Sequence, residues 1–216
     1  MKRKIIIVAV IVTLILLADQ LVKIYIKTNF DLGESHNLIG SWFVVEYIEN
    51  QGMAFGTSFG AKMWHKLALS LFRIVAISAL VYYWIKQMKK GVRLEFLIAV
   101  GLVFAGATGN LIDSMFYDFA FPYDPCMPYN LLEGSGNYID CAYGVEETKH
   151  TGFLFGNVVD MFKFHGTWPK WMPWIGGGPL FPAIWNIADA SITSGVVMIF
   201  IRQKKYFPNV KKVVDE

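Results

Sequence analysis

Long stretches without charge constrain this 216-residue chain more than any other feature of its sequence. Ile5 to Ala18 and Phe96 to Ile112 carry no charge at all. Leu67 to Ile85 carries only Arg73, and Ala183 to Ile201 only Asp189. A helix needs about 20 residues to cross about 30 Å of hydrocarbon. Leu67–Ile85 and Ala183–Ile201 meet that length as they stand. The first stretch meets it by running on through Asp19 and Lys23 to about Lys27. The third meets it by taking in Leu94, Glu95 and Asp113 to Met115. The expected fold is an all-α membrane protein, one membrane domain over residues 1–216, with four transmembrane helices. They lie near Lys4–Lys27, Lys66–Lys86, Arg93–Met115 and Ala183–Arg202, with extended loops at 28–65 and 114–182.

Composition fits that reading. Hydrophobic residues make up 55% and charged residues 17%, against about a quarter charged in soluble domains. Such a chain is neither disordered nor, with two Cys, a disulfide-rich scaffold. A net charge of +3 is too small to suggest nucleic acid. The first stretch could also be read as a signal peptide, with Lys2, Arg3 and Lys4 before an apolar run to Leu17. The following Ala18-Asp19-Gln20-Leu21 offers no small-x-small cleavage site, so an uncleaved anchor is expected.

The remaining charges orient the bundle. Lys2, Arg3 and Lys4 precede the first span. Lys86, Lys89, Lys90 and Arg93 fill the second-to-third connection, and Arg202, Lys204, Lys205, Lys211 and Lys212 follow the last span. With four spans all three segments share one side, and positive charge marks the cytoplasm. Both termini are then cytoplasmic, and both long connections lie outside.

The outer connections carry short strand patterns, Trp42 to Ile48 and Gly152 to Val159. Gly176-Gly177-Gly178-Pro179 and Pro182 delay the last helix until just before Trp185. Trp168, Trp171, Trp174 and Trp185 suit a headgroup interface, each ring having an apolar body and a polar edge. Cys126 and Cys141 share the outer loop, an oxidising compartment in many bacteria, and are expected to be bonded.

Polar residues in or beside the spans carry the functional signal. Asp19 and Lys23 are an i,i+4 pair, and Asn110/Asp113 and Asn186/Asp189 are i,i+3 pairs. Given the orientation, Asp19, Asp113 and Asp189 lie toward the outer ends of their helices, and Asp160 is in the loop on that side. Each has a bland reading. Asp19 and Lys23 alone make a structural ion pair, Asn110 alone is interhelical glue, and Asp160 alone is a loop acid. Gly101, Ala105 and Gly109 read as a close-packing seam. Asp189 is harder to dismiss, because a carboxylate inside a span defaults to function. Four His at no ligand spacing give no metal pattern, and no nucleophile elbow, Cys–His spacing, Walker loop or dinucleotide fingerprint is visible. Neither metal nor cofactor is expected. Carboxylate chemistry is what remains.

Five segments stand in order: Asp19-Gln20-Leu21-Val22-Lys23, Asn50-Gln51-Gly52-Met53-Ala54-Phe55-Gly56, Gly106 to Asp113 (GATGNLID), Val158-Val159-Asp160-Met161-Phe162, and Asn186-Ile187-Ala188-Asp189. This resembles the lipoprotein signal peptidases (signal peptidase II), aspartyl peptidases of the bacterial inner membrane. The resemblance implies four helices, a small extracytoplasmic β-cradle and an extracytoplasmic helix. It implies removal of the signal peptide from prolipoproteins before a diacylglyceryl-bearing cysteine, by a monomer that meets substrate and membrane lipid at the outer leaflet. On it, Asp160 and Asp189 are the catalytic pair. Asp19, Lys23, Asn50, Gly52, Asn110, Asp113 and Asn186 shape the site or bind substrate.

The chain departs from the family in three places. Ser114 stands where the family usually has Arg after the third-motif acid. Asp113 and Asp160 are 47 positions apart instead of joined by a short loop, and Met161 replaces the usual Phe. Arg73, the only charged residue inside the second apolar stretch, is a candidate to replace the missing arginine near Asp113 or the substrate. Its alternative is to snorkel to headgroups. Two rival functions remain open on the sequence. One is a small carrier or channel using Asp19, Asp113, Asp189 and Arg73; the other is an adaptor subunit with a partner-binding outer domain.

Overall fold

The computed structural model describes residues 2–51 and 62–207. Helix α1 (Lys2–Asn29) leads to strands β1 (Ser35–Ile39) and β2 (Phe43–Asn50). Helices α2 (Met63–Lys89) and α3 (Leu94–Ala120) come next, then the hairpin β3 (Asn137–Cys141) and β4 (Gly144–Thr148). Strands β5 (Val158–Phe164) and β6 (Ile184–Trp185), helix α4 (Ile187–Ile201) and the single turn α5 (Gln203–Tyr206) complete it.

Helices α1, α2 and α3 have 28, 27 and 27 residues and are apolar enough to cross a membrane. At 1.5 Å per residue each is about 40 Å long. Their outward faces could not rest in water. On α1, Ile6, Val10, Leu14, Leu17 and Leu21 stand exposed at spacings of three and four, and on α2 Phe72, Val75 and Tyr82 stand exposed at spacings of three and seven. The chain is a multi-pass membrane protein. Helix α3 is the central one and packs on α1, α2 and α4. The seam expected at Gly101, Ala105 and Gly109 faces α1: a Cβ on Gly101 would meet Val8 and Val12, and one on Gly109 would meet Asp19. A different pair closes α3 on α4. A Cβ on Gly106 would lie 2.1 Å from the Ala188 carbonyl, and one on Gly195 2.5 Å from the Ala99 carbonyl.

Two expected helix bounds are corrected. Helix α3 runs five residues beyond Met115 to Ala120, because Tyr117 packs under the sheet and Asp118 pairs with Lys149 above the span. Helix α4 begins at Ile187, not Ala183. Ile184 and Trp185 are taken up as a strand against Lys163 and Phe162, and Asn186 then caps the helix. At 15 residues α4 is about 22 Å long.

The small β-structure expected beside the helices is present as a layer of its own. One antiparallel sheet has the order β1-β2-β5-β6, and β3-β4 is a separate hairpin. Period-two alternation divides β5 between two environments. Val159 and Met161 enter a core with Ile26, Val45, Tyr47 and Tyr117, which seats the sheet on the ends of α1 and α3. Asp160, between them and opposite Ile48, is left for the other face. The long insert is tied down three times. Cys126 and Cys141 are bonded. Lys149, fully buried, donates to both Asp118 oxygens at 2.9 and 2.7 Å and to the Phe155 carbonyl. Lys66 of α2 donates to Asn157 at 2.6 Å.

Candidate active site

Asn186 organises the site because of where helix α4 starts. As N-cap it accepts the Asp189 N–H on its side-chain oxygen at 2.9 Å, while its own backbone N–H faces Asp189 Oδ2 at 3.4 Å. This is a capping box, with Asp filling the place usually taken by Glu or Gln. The Asn186 side-chain amide meanwhile donates to Asp160 Oδ1 at 2.6 Å and faces the Asn110 oxygen at 3.1 Å. One asparagine therefore holds Asp160 on a strand and Asp189 on a helix, although 29 positions separate them. The second Asp160 oxygen accepts the Asn50 side-chain amide from β2.

Asn110 links this pair to a buried charge cluster below it. Its amide donates to Asp189 Oδ1 at 2.9 Å, and its oxygen accepts Lys23 Nζ at 2.8 Å. Lys23 spends its other donors on Asp113 at 2.7 Å and Asp19 at 3.1 Å. All three charges are essentially inaccessible, at 0–1% exposure, so each must be paired. Asp19 also reaches a second helix, where its Oδ1 accepts the Ala188 N–H at 2.9 Å. A carboxylate from α1 thus satisfies an orphan donor in the first turn of α4 and meets the positive end of its dipole. Asp113 Oδ2 faces the Val159 N–H at 3.4 Å, one residue from Asp160.

Arg73 turns inward. Its Nη1 donates to Ser114 Oγ at 3.2 Å, and Ser114, 1% exposed, donates on to the Asn110 carbonyl. The structure therefore brings together Asp19, Lys23, Asn50, Arg73, Asn110, Asp113, Asp160, Asn186 and Asp189. Gly52, the remaining expected site residue, lies outside the described residues.

Three contributors escaped the sequence reading. Gln20 donates to Asp113 at 3.0 Å and to Asp19 at 3.1 Å, and accepts from Tyr117; its place beside Asp19 was the available signal. Glu49 precedes Asn50, so alternation turns it to the opposite face, where it meets Lys27, Tyr47 and Asn157. Asn157 draws Lys66, Glu49 and Asn130 together just before β5. Nothing in the spacing pointed to it.

Asp160 is 5% exposed. Burial, and then the nearby Asp189 charge, pushes its carboxyl well above the usual carboxylate range, against the pull of Lys23 and the Asn186 bond. Beside Asp189 opens an apolar groove of about 500 Å³, walled by Phe164, Phe181, Ile184 and Trp185 and by Ile192 and Thr193 of α4. Trp185 packs among Phe43, Phe162 and Phe164 with ring centroids 5.0–6.2 Å apart. Among the described residues no group of three His, Cys, Asp or Glu side chains could hold a metal ion. Two coupled carboxylates beside an apolar groove can activate water against a carbonyl carried on a hydrophobic ligand.

A family model described as Signal peptidase (SPase) II matches residues 11–204. A lipoprotein signal peptidase of Porphyromonas gingivalis is 37% identical over 201 residues, covering 90% of this chain and 81% of that relative. Another, of Amoebophilus asiaticus, is 30% identical over 205 residues, covering 90% and 76%. A bacterial membrane enzyme solved by the in meso method at 2.3 Å resolution superposes with a TM-score of 0.61 at 26% identity, covering 95% of this chain and 92% of that one.

Proposed function

The chain belongs to the signal peptidase II family, and from that premise we propose that Asp160 and Asp189 are its catalytic pair. It is an aspartic-type peptidase that removes signal peptides from lipoproteins. The observation that carries the residue assignment is Asn186, which bonds both Asp160 and Asp189, the latter lining the apolar groove.

Two carboxylates sharing a site cannot both ionise cheaply, so the pair holds one proton; in the proposed scheme Asp160, whose carboxyl burial pushes up, carries it. Asp189, as base, takes a proton from water while the water oxygen attacks the scissile carbonyl carbon. Asp160 gives its proton to the carbonyl oxygen, forming a neutral gem-diol. That diol collapses as the C–N bond breaks: one hydroxyl proton returns to the pair, and the leaving nitrogen takes the proton held by Asp189. The pair ends with one proton, as it began. Asn50 and Asn186 orient Asp160 throughout; Asn110 and the Asn186 backbone orient Asp189.

The substrate is a prolipoprotein whose cysteine already bears diacylglycerol, and the cut falls just before that cysteine. The apolar groove suits acyl chains that stay in lipid while the peptide bond reaches the carboxylates. Asn50, Arg73, Asn110 and Asn186 are the polar groups placed to meet substrate, with Gly52 assigned there by the motif alone; Asp19, Lys23 and Asp113 support them from below.

The protein lies in the bacterial inner membrane with four spans, cytoplasmic termini and its site at the outer leaflet. Lys4 at the start of α1 donates to the Val92 carbonyl in the α2–α3 turn, and Lys205 after α4 pairs with Glu95 at the start of α3. Both contacts lie at the end of the bundle opposite the carboxylates, as an even number of crossings requires. Incubation of the purified protein with a diacylglyceryl-modified prolipoprotein tests the reading. Release of the signal peptide is expected, and an uncleaved substrate would refute it.

A further inference from the structure

Trp168, Trp171, Trp174 and Trp185 separate into two groups. Trp185 sits in the groove wall and Trp168 is half-buried, but Trp171 and Trp174 are 80% and 101% exposed. They stand at the tip of a loop, with Ile175 beside them and Lys170 next to Trp171. The loop is held by its own backbone. Thr167 bridges Pro179, the Trp168 and Gly177 N–H groups donate to the Gly178 and Trp168 carbonyls at 2.9 Å, and Leu180 donates to Gly166 at 2.8 Å. Within it Trp174 takes φ +72°, a left-handed conformation that a bulky side chain rarely adopts. An ordered loop that strains its backbone to expose two indoles presents a surface to something apolar.

Position identifies the occupant. The loop base, Gly166 to Leu180, rises between Phe164 and Phe181, two walls of the groove. Across that groove are Ile192 and Thr193, already one turn into apolar α4. With α4 as a membrane span, as proposed above, Phe164 and Phe181 lie at the level of the membrane surface, and a loop starting there emerges beside headgroups. The neighbouring β1–β2 turn is built alike. Leu38, Ile39 and Trp42 are each about half exposed, Trp42 stacks on Phe164 at 6.0 Å, and the His165 N–H donates to the Trp42 carbonyl.

We propose that the 166–180 loop is an outer-leaflet anchor, with Trp171, Trp174 and Ile175 seated at the headgroup–acyl boundary and Lys170 meeting anionic headgroups. Its descending limb, Leu180 to Trp185, then continues the lipid surface into the groove beside Asp189. The loop thereby sets the depth at which a lipid-bearing substrate enters. That last point rests on the peptidase reading; the anchoring itself does not.

The full chain has only Cys126 and Cys141, bonded to each other, so Trp174→Cys supplies a single thiol for a nitroxide label. In vesicles of phosphatidylethanolamine and phosphatidylglycerol, oxygen should relax this label efficiently and a water-soluble nickel chelate should not. A label at Tyr138→Cys, on the exposed hairpin, should show the reverse. Equal access of nickel to both would overturn the anchor. Spin–spin broadening that grows with protein density would place a second copy of the chain there and also overturn it. With vesicle-borne prolipoprotein, Trp171→Ser/Trp174→Ser should raise KM roughly tenfold, about 1.4 kcal/mol of lost interfacial binding, at unchanged kcat. An unchanged KM, or a fall in kcat alone, would remove the loop from substrate entry. If the wild-type chain cleaved nothing, the peptidase reading would fail while the depth measurement still decided the anchor.

Discussion

Arg73 of α2 donates a hydrogen bond of 3.2 Å to Ser114 of α3, so a guanidinium from another helix reaches the residue that follows Asp113. A guanidinium presents a planar fork that an ammonium cannot copy. Arg73→Lys should therefore lower kcat/KM by about tenfold, and Arg73→Ala by roughly a hundredfold, the range for one lost charge-assisted hydrogen bond near a reacting centre. Adding Ser114→Arg to either should return part of the activity. Steady-state cleavage with wild-type KM and kcat in Arg73→Ala would show that Arg73 serves only the helix packing.

Asp160→Asn and Asp189→Asn should each abolish cleavage, with the double variant hardly worse than either, because an amide can neither give nor take the proton the pair shares. Asp160→Asn should retain wild-type thermal melting to within a few degrees, since a flipped Asn50 can accept from the new amide while Asn186 still donates to its oxygen. Turnover above a hundredth of wild type in a single variant would take that residue out of the chemistry.

The pH dependence comes from the raised carboxyl of Asp160. Cleavage needs that proton, so activity should fall as pH rises through a value above the ordinary carboxylate range of about 4. Protonation of the base should set the acidic limb, giving a bell in log kcat/KM. Asn186→Ala removes a bond that favours the ionised form and should move the alkaline limb upward. An alkaline limb that stayed in place would show that this bond does not tune the pair.

Lys23→Met should cost stability as well as activity. It strands Asp19 and Asp113, both almost completely buried. Removing one partner from a buried ion network costs about 3–5 kcal/mol. Unfolding monitored by denaturant titration should show that loss at neutral pH. A triple change, Lys23→Met with Asp19→Asn and Asp113→Asn, should recover much of it. A single variant as stable as wild type would mean that water reaches the cluster.

Much of this site was legible in the chain because local spacing carries it. Asp19 and Lys23 meet as an i,i+4 pair, and Asn186 and Asp189 lie at the spacing of a capping box. What spacing could not carry was contact between elements. Asp19 bonds the Ala188 N–H from 169 positions away. Hydropathy placed the last helix at Ala183, because Ile184 and Trp185 are as apolar as the helix beyond them; only pairing with β5 shows them to be strand. The sheet pattern located β2 and β5 approximately, but nothing in the sequence told which face each residue would take. Alternation turned Glu49 away from the site and Asn50 toward it only once the register was fixed.

Asp160 arrives on a strand and Asp189 on the first turn of a helix, and neither is positioned until Asn50, Asn110, Asn186 and Asp19 come in from their own elements. The last helix must therefore dock against α1 and α3 before the two carboxylates can face each other.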